Sequence, residues 1–401
     1  MSSQNIFDLR INVRQIEDII KFGFRRKRSI FLYGGAGVGK SQKIAQIADM
    51  LFPTNIGRNL VDVRLSDKEP QDVTGIPVPV TMPDGKVVTV YATPSFWPDD
   101  PNWVGIVFLD ELTNAPAACQ QAAYQIMLDG KIGEYTFPVG ALRVGAGNRE
   151  GDGGATNTLL SPLANRMCLV EVDYDLDIWI EDFAVPNDVH PSIIGFLKQS
   201  PDMFYTGDKD DLEPGTSFAT PRSWVGGSDA LYDYDLGLMS QFMTHVAVQG
   251  MVGNGMDSLV MDYHTRTRKL PAVSGVLDGS IQKHHLENHE VDLLYVLSQT
   301  CLSQLRKDAL SQMDDQQVLD RVHNFLTFMH DNYGKTNMDI IVAMTVNIFR
   351  GTGTTKSILT QNDKREKMIP RLLRHSNKVG EIVKNYTKQY GDLMAEIDGT
   401  A

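Results

Sequence analysis

An α/β first half built on a mostly parallel sheet, followed by an all-helical second half, is the fold class the sequence predicts, and three observations predict it. Up to about residue 174, helix-like and strand-like stretches alternate, the pattern of parallel strands joined by covering helices. A glycine-rich stretch, GGAGVGKS (34–41), joins a short apolar run to a helical one. Beyond about residue 176 the apolar positions recur at three and four, which is helical periodicity.

The first element is the amphipathic VRQIEDIIKFGF (13–24), read as a helix. The cations after it, Arg25, Arg26, Lys27 and Arg28, suit a helix carboxyl end, where positive charge is favourable, better than a nucleic-acid surface. Strand SIFLYG (29–34), helix KSQKIAQIADMLF (40–52) and strand NLVDVRLS (59–66) come next. Residues 72–98 alternate around the turn Met82 to Lys86 and read as a hairpin. Strand GIVFLDE (105–111), helix AACQQAAYQIMLDG (117–130), a second hairpin (129–140) and strand ALRVGAG (141–147) complete the first half. Helical stretches then cover 177–185, 190–200, 222–234, 238–253, 290–305, 316–332, 338–349 and 365–386. The expected division is an α/β domain, 1–176, and an all-helical part, 177–401, comprising a lid and a carboxyl-terminal extension.

Bulk composition excludes several classes. In 401 residues, 42% hydrophobic and 22% charged, no apolar run approaches the ~20 residues of a membrane span. The start MSSQNIFDLR lacks a secretory signal, so a cytoplasmic location is expected. Cys119, Cys168 and Cys301 stand far apart, without the spacing of a disulfide framework or zinc knuckle. A net charge of −12 weighs against a surface built mainly for nucleic acid.

The stretch 34–41 has the form GxxxxGK[ST] between a strand and a helix, the setting a phosphate-binding loop requires. Glycines leave successive N–H groups open to phosphate oxygens, and the following helix presents its amino end to the same anion. Gly35, Ala36, Gly37, Val38, Gly39, Lys40, Ser41 and Gln42 are the expected nucleotide contacts. Lys40 reaches the β and γ phosphates and Ser41 ligates Mg²⁺. In GIVFLDEL an apolar strand ends in two acids: Asp110 is expected in the Mg²⁺ shell and Glu111 as the group that orients and polarises the attacking water. Other signals carry less. His285 and His289 lack the second histidine pattern of a zinc protease, Asp208 to Glu213 lacks the glycine of a calcium loop, and no Ser/His/Asp set has a recognisable local context.

With these motifs in place, the chain resembles the AAA+ ATPases, and more narrowly their MoxR-like branch in the helix-2-insert group, over roughly residues 10–230. The resemblance implies a polar sensor at Asn148, after strand ALRVGAG. It implies an arginine finger in NRM at Arg166, with Arg149 as the alternative; Arg166 is favoured because a trans-acting arginine belongs at a domain edge. It implies a second sensor in TPR, with Thr220 as cap, Pro221 in the first turn and Arg222 aimed at the nucleotide. Three departures stand out: GGAGVGKS replaces GPPGVGKT, TPR replaces SPR, and Met167 takes the place of an aromatic. By resemblance the cofactors are ATP and Mg²⁺, and the assembly is a homo-oligomeric, hexameric ring whose pore hairpins remodel a protein substrate. A von Willebrand factor A-type protein is the implied partner. Two alternatives remain: a motor on nucleic acid, using Lys86 and Lys131 on the hairpins, or a nucleotide-gated scaffold with little turnover.

Overall fold

The computed structural model describes residues 9–53, 59–148, 166–208, 215–286, 290–311, 313–349, 351–352, 355–356 and 379–382. Arg149, His289, most of 208–213 and most of the expected helix 365–386 lie outside the described residues. The chain forms two compact units: residues 1–175 with Tyr205–Ser223, and Leu176–Phe204 with 224–401.

The first unit is built on a six-stranded, wholly parallel sheet. Its strands are β1 (Arg10–Ile11), β2 (Ile30–Gly34), β3 (Leu60–Arg64), β6 (Val104–Asp110), β9 (Gly140–Gly147) and β10 (Cys168–Val172), in the spatial order β1-β10-β2-β9-β6-β3. The central strands are apolar on both faces, as a sheet covered on both sides demands. Ile30, Leu32, Ile106 and Phe108 point to one core with Ile44 and Ile47 of α2 (Lys40–Leu51) and Ile16 and Ile20 of α1 (Ile16–Arg26). Phe31, Val107 and Leu109 point to the other, with Ala123, Ile126 and Met127 of α4 (Ala117–Asp129). Helix α1 ends at Lys27 in the left-handed region, φ 53°, with Arg25 and Arg26 in its last turn, as expected for cations at a helix carboxyl end.

Two hairpins leave the sheet. β4 (Ile76–Thr81) pairs with β5 (Val87–Ala92) after the short α3 (Pro70–Thr74), and β7 (Lys131–Ile132) pairs with β8 (Tyr135–Thr136). In the first, Met82 N–H donates to Lys86 C=O at 2.8 Å. The pairs Val80–Val88, Val78–Val90 and Ile76–Ala92 are therefore the hydrogen-bonded ones and put their side chains on one face. From Ile76 to Val80 and from Val88 to Ala92 that face is aliphatic, with Ile76 61% exposed, and the Met82–Lys86 pair continues it at the tip. Pro77 and Pro79 fall on the outward positions of β4 and leave that edge without two N–H donors, which blocks pairing of a further strand there.

The second unit is helical. It contains α5 (Leu176–Trp179), α6 (Pro191–Gln199), most of α7 (Pro221–Asp235), α8 (Gln241–Val252), α9 (Met256–Thr267), α10 (Val273–Leu277), α11 (Val291–Leu310), α12 (Asp315–Tyr333) and α13 (Met338–Phe349). Trp224 anchors its core, fully buried with the indole N–H donated to Phe204 C=O at 3.1 Å. Among the described residues no helix is long and apolar enough to cross a membrane.

Candidate functional site

Parallel strands bring their carboxyl ends to one edge, so Gly34 of β2, Asp110 of β6 and Gly147 of β9 end side by side. The loop from Gly35 to Gly39 leaves β2 at that edge and runs into α2, with φ of 72° at Gly37 and 94° at Gly39. Both values lie in the region that glycine enters without a Cβ penalty. Val38 is buried, Ala36 is half-buried and Gln42 is exposed on α2.

Lys40 folds back over this loop. It is 7% exposed, and its Nζ donates to Gly34 C=O at 2.7 Å, Gly35 C=O at 3.0 Å and Asn148 Oδ1 at 3.4 Å. Asn148 is held by its own N–H donating to Thr113 Oγ1 at 3.0 Å. Ser41 Oγ donates to Asp110 Oδ2 at 2.6 Å. The hydroxyl and carboxylate expected to share a cation therefore touch. Nearby, burial first and the Asp110 charge second push the Asp62 carboxyl above its ordinary range. The negative potential at the end of β6 is thus felt on β3.

Glu111 adopts φ 54°, ψ 32°, a left-handed conformation that costs a non-glycine residue about 1 kcal/mol or more. The turn directs its carboxylate to β3, where Ser66 Oγ donates to Oε2 and Arg64 Nε lies 3.5 Å from Oε1. Ser66 and Arg64 were not among the sequence expectations. The β3–β6 register, which sets Arg64 opposite Asp110, is the feature that makes them neighbours.

The segment Tyr205–Ser223 belongs to the same unit and closes the other side of the loop. Thr206 N–H donates to Ala219 C=O at 3.0 Å, and Ala219 N–H donates to Thr206 Oγ1 at 3.0 Å. Thr220 and Ser223 cap α7 reciprocally: Ser223 N–H donates to Thr220 Oγ1 at 3.0 Å and Thr220 N–H to Ser223 Oγ at 2.8 Å. A Cβ on Gly37 would meet Thr220 Oγ1 at 3.0 Å and Arg222 Cβ at 3.2 Å, and one on Gly35 would meet the Tyr205 hydroxyl at 2.5 Å. Arg222 therefore starts beside the glycine loop, with an exposed side chain.

Arg166 is placed elsewhere. It is exposed and precedes the amino end of β10, so the length of that five-residue strand, roughly 16 Å, separates it from the edge carrying Lys40 and Asp110. The structure brings Lys40, Ser41, Asp110, Glu111, Asn148 and Arg222 to one edge and leaves Arg166 at the opposite one.

No family model matches the chain, and no curated protein does. Among solved structures, NtrX from Brucella abortus is similar at 13% identity and a TM-score of 0.30, over 93% of this chain and 70% of that one. A RuvB mutant from Thermotoga maritima is similar at 15% identity and a TM-score of 0.35, over 76% of this chain and 86% of that one. NtrX in complex with ATP gives 14% identity and a TM-score of 0.32, over 83% and 64%. At this level of similarity, the chemistry rests on the chain's own residues.

Proposed function

We propose that this chain is a Mg²⁺-dependent ATPase of the AAA+ type, MoxR-like, acting as a hexameric ring that remodels a protein substrate. The observation that carries the reading is the edge where Lys40 covers the glycine loop and Ser41 touches Asp110. A lysine on backbone carbonyls exchanges readily onto phosphate oxygens, a stronger, charge-assisted contact. Ser41 and Asp110 form a hard oxygen donor pair that fits Mg²⁺. When bound, the ion neutralises charge on the phosphates. Glu111, once released by Ser66 and Arg64, orients the attacking water and accepts its proton. Asn148 positions the same water, and Arg222 reaches the nucleotide from the capped start of α7.

By its position, Arg166 supports the proposal that catalysis lies between subunits. Placed far from its own loop, it serves as the finger for a neighbour's γ-phosphate. A protein substrate is supported over nucleic acid by the aliphatic face of the β4–β5 hairpin, since a groove for DNA needs cations where this face carries Ile76, Val78 and Val90. A von Willebrand factor A-type protein is the proposed partner. The test is Glu111→Gln: it is expected to bind ATP, turn it over very slowly and retain its protein client in a pull-down. Near-normal turnover overturns the assigned roles, and ATPase activity stimulated by DNA favours the nucleic-acid alternative.

A further inference from the structure

Two imidazoles and one carboxylate meet in the helical unit. His190 is the N-cap of α6, Asp235 is the last residue of α7 and His264 lies on α9; their ligating atoms all lie within 4.8 Å of one another. Such a group suits a hydrolytic relay, a metal or a proton-linked clamp, and the hydrogen bonds decide among them.

A relay is outlined by Ser192 Oγ, 3.0 Å from His264 Nδ1, and His264 Nε2, 3.0 Å from Asp235 Oδ1. Ser192 is 1% exposed, so no substrate carbonyl reaches its hydroxyl. A metal bound at Nε2 requires the ring proton on Nδ1. At His190, however, Nδ1 accepts the Ser192 backbone N–H at 3.1 Å, and a proton there would face another proton. His190 is thereby fixed as the Nε2–H tautomer, donating to Asp235 Oδ2 at 3.0 Å. The Asp235 carboxylate accepts one N–H from each imidazole, and the site is filled.

We propose that this cluster is a proton-operated clamp on the amino end of α6: with both imidazoles neutral the helix is capped and tied to α7 and α9, and a proton on His190 Nδ1 undoes the cap. The two histidines differ in what a proton does to them. Next to His264 Nδ1 is the Ser192 hydroxyl, which can reverse, accept from the protonated ring and turn its hydrogen to Thr267 Oγ1 at 3.2 Å. Next to His190 Nδ1 is a backbone N–H, which cannot reverse. Only the second protonation breaks a helix terminus.

Among the described residues, Ser228 Oγ accepts the His190 backbone N–H at 2.7 Å, and the titratable groups beside the pair include Tyr232, whose ring lies 4.7 Å from His190, and Tyr234, 5.9 Å from His264, with the Arg268 guanidinium 5.6 Å from the Tyr234 ring. Asp188, near Tyr232, is held by Ser303 and Lys307. Burial holds His264 below the ordinary histidine range, against the pull of Asp235. The folded state therefore binds fewer protons than the unfolded one just below the unperturbed value of 6.5, so stability present above that pH is lost as pH falls.

Long-range ¹⁵N–¹H spectra of the histidine-labelled full chain, together with thermal melts, test the clamp. At about pH 7.5 both rings are expected as Nε2–H tautomers. His190→Asn retains a cap acceptor that binds no proton; on acidification to the point where the wild-type spectrum shows a proton on His190 Nδ1, the wild type is expected to have lost roughly 2–4 °C more in Tm than this variant. Equal losses, an Nδ1–H signal at His190, or stoichiometric zinc uptake abolished by Asp235→Asn each overturn the proposal. Should His190→Asn fail to fold, the wild-type tautomers and the zinc titration decide it.

Discussion

Replacing Lys40 by methionine separates a lysine kept for binding from one kept for folding. Lys40 is 7% exposed and its ammonium rests on the Gly34 and Gly35 carbonyls at 2.7 and 3.0 Å. Burying a charge costs several kcal/mol, which contacts to neutral carbonyls offset only in part. Methionine has nearly the same reach, fills the space and brings no charge. The folded state is therefore expected to melt within a few degrees of the wild type, or higher. Binding of a triphosphate behaves oppositely. A charge-assisted contact to phosphate contributes about 1.5–3 kcal/mol, and about 1.4 kcal/mol is tenfold in affinity, so the variant is expected to bind roughly 10–150-fold more weakly. Titration with a fluorescent ATP analogue in Mg²⁺, beside thermal melts of the same samples, reads both quantities. An affinity within about threefold of the wild type refutes the phosphate role. A large fall in Tm shows instead that the lysine holds the loop.

Gly37→Ala places a Cβ 3.0 Å from Thr220 Oγ1 at a φ of 72°; it is expected to cost roughly 1–2 kcal/mol in denaturant unfolding and to weaken nucleotide binding in the same titration. Ser66→Ala removes a donor to Glu111 and is expected to change stability by less than about 1 kcal/mol, since the carboxylate is partly exposed; basal turnover should hold or rise, and a collapse in a coupled ATPase assay refutes the view that Ser66 restrains the acid. Burial pushes the Cys301 and Cys119 thiols up, and both are fully buried, so a thiol reagent at neutral pH is expected to label them slowly in the native protein and fully in denaturant, measured by mass spectrometry.

The sheet was legible because its strands carry their own evidence. Ile30–Gly34 and Val104–Asp110 are apolar at consecutive positions, as strands covered on both faces must be, and the loop and acid motifs each end such a strand. What the sequence did not show was set by register. Ser66 and Arg64 meet Glu111 only because β3 pairs with β6 so that Arg64 lies opposite Asp110. His190, Asp235 and His264 are separated by 45 and 29 residues, and no local spacing announces their meeting.

The glycine loop shows how a motif can be incompletely explained by the ligand it suggests. Bare backbone suits phosphate oxygens, but Gly35 also lies against the Tyr205 hydroxyl and Gly37 against Thr220 and Arg222. A side chain at either position would strike protein before it struck a ligand. The absence of Cβ atoms thus has two reasons, the proposed phosphate on one side and the segment that caps α7 on the other. Gly37 lies beside that segment within one compact unit, and a Cβ built on it would come within 3.0 Å of Thr220 Oγ1 and 3.2 Å of Arg222 Cβ, so any residue larger than glycine would have to displace the start of α7 as well as the loop. The shape of the loop and the capped start of α7 are therefore fixed together, which is the coupling the proposed nucleotide-driven reading would require of them.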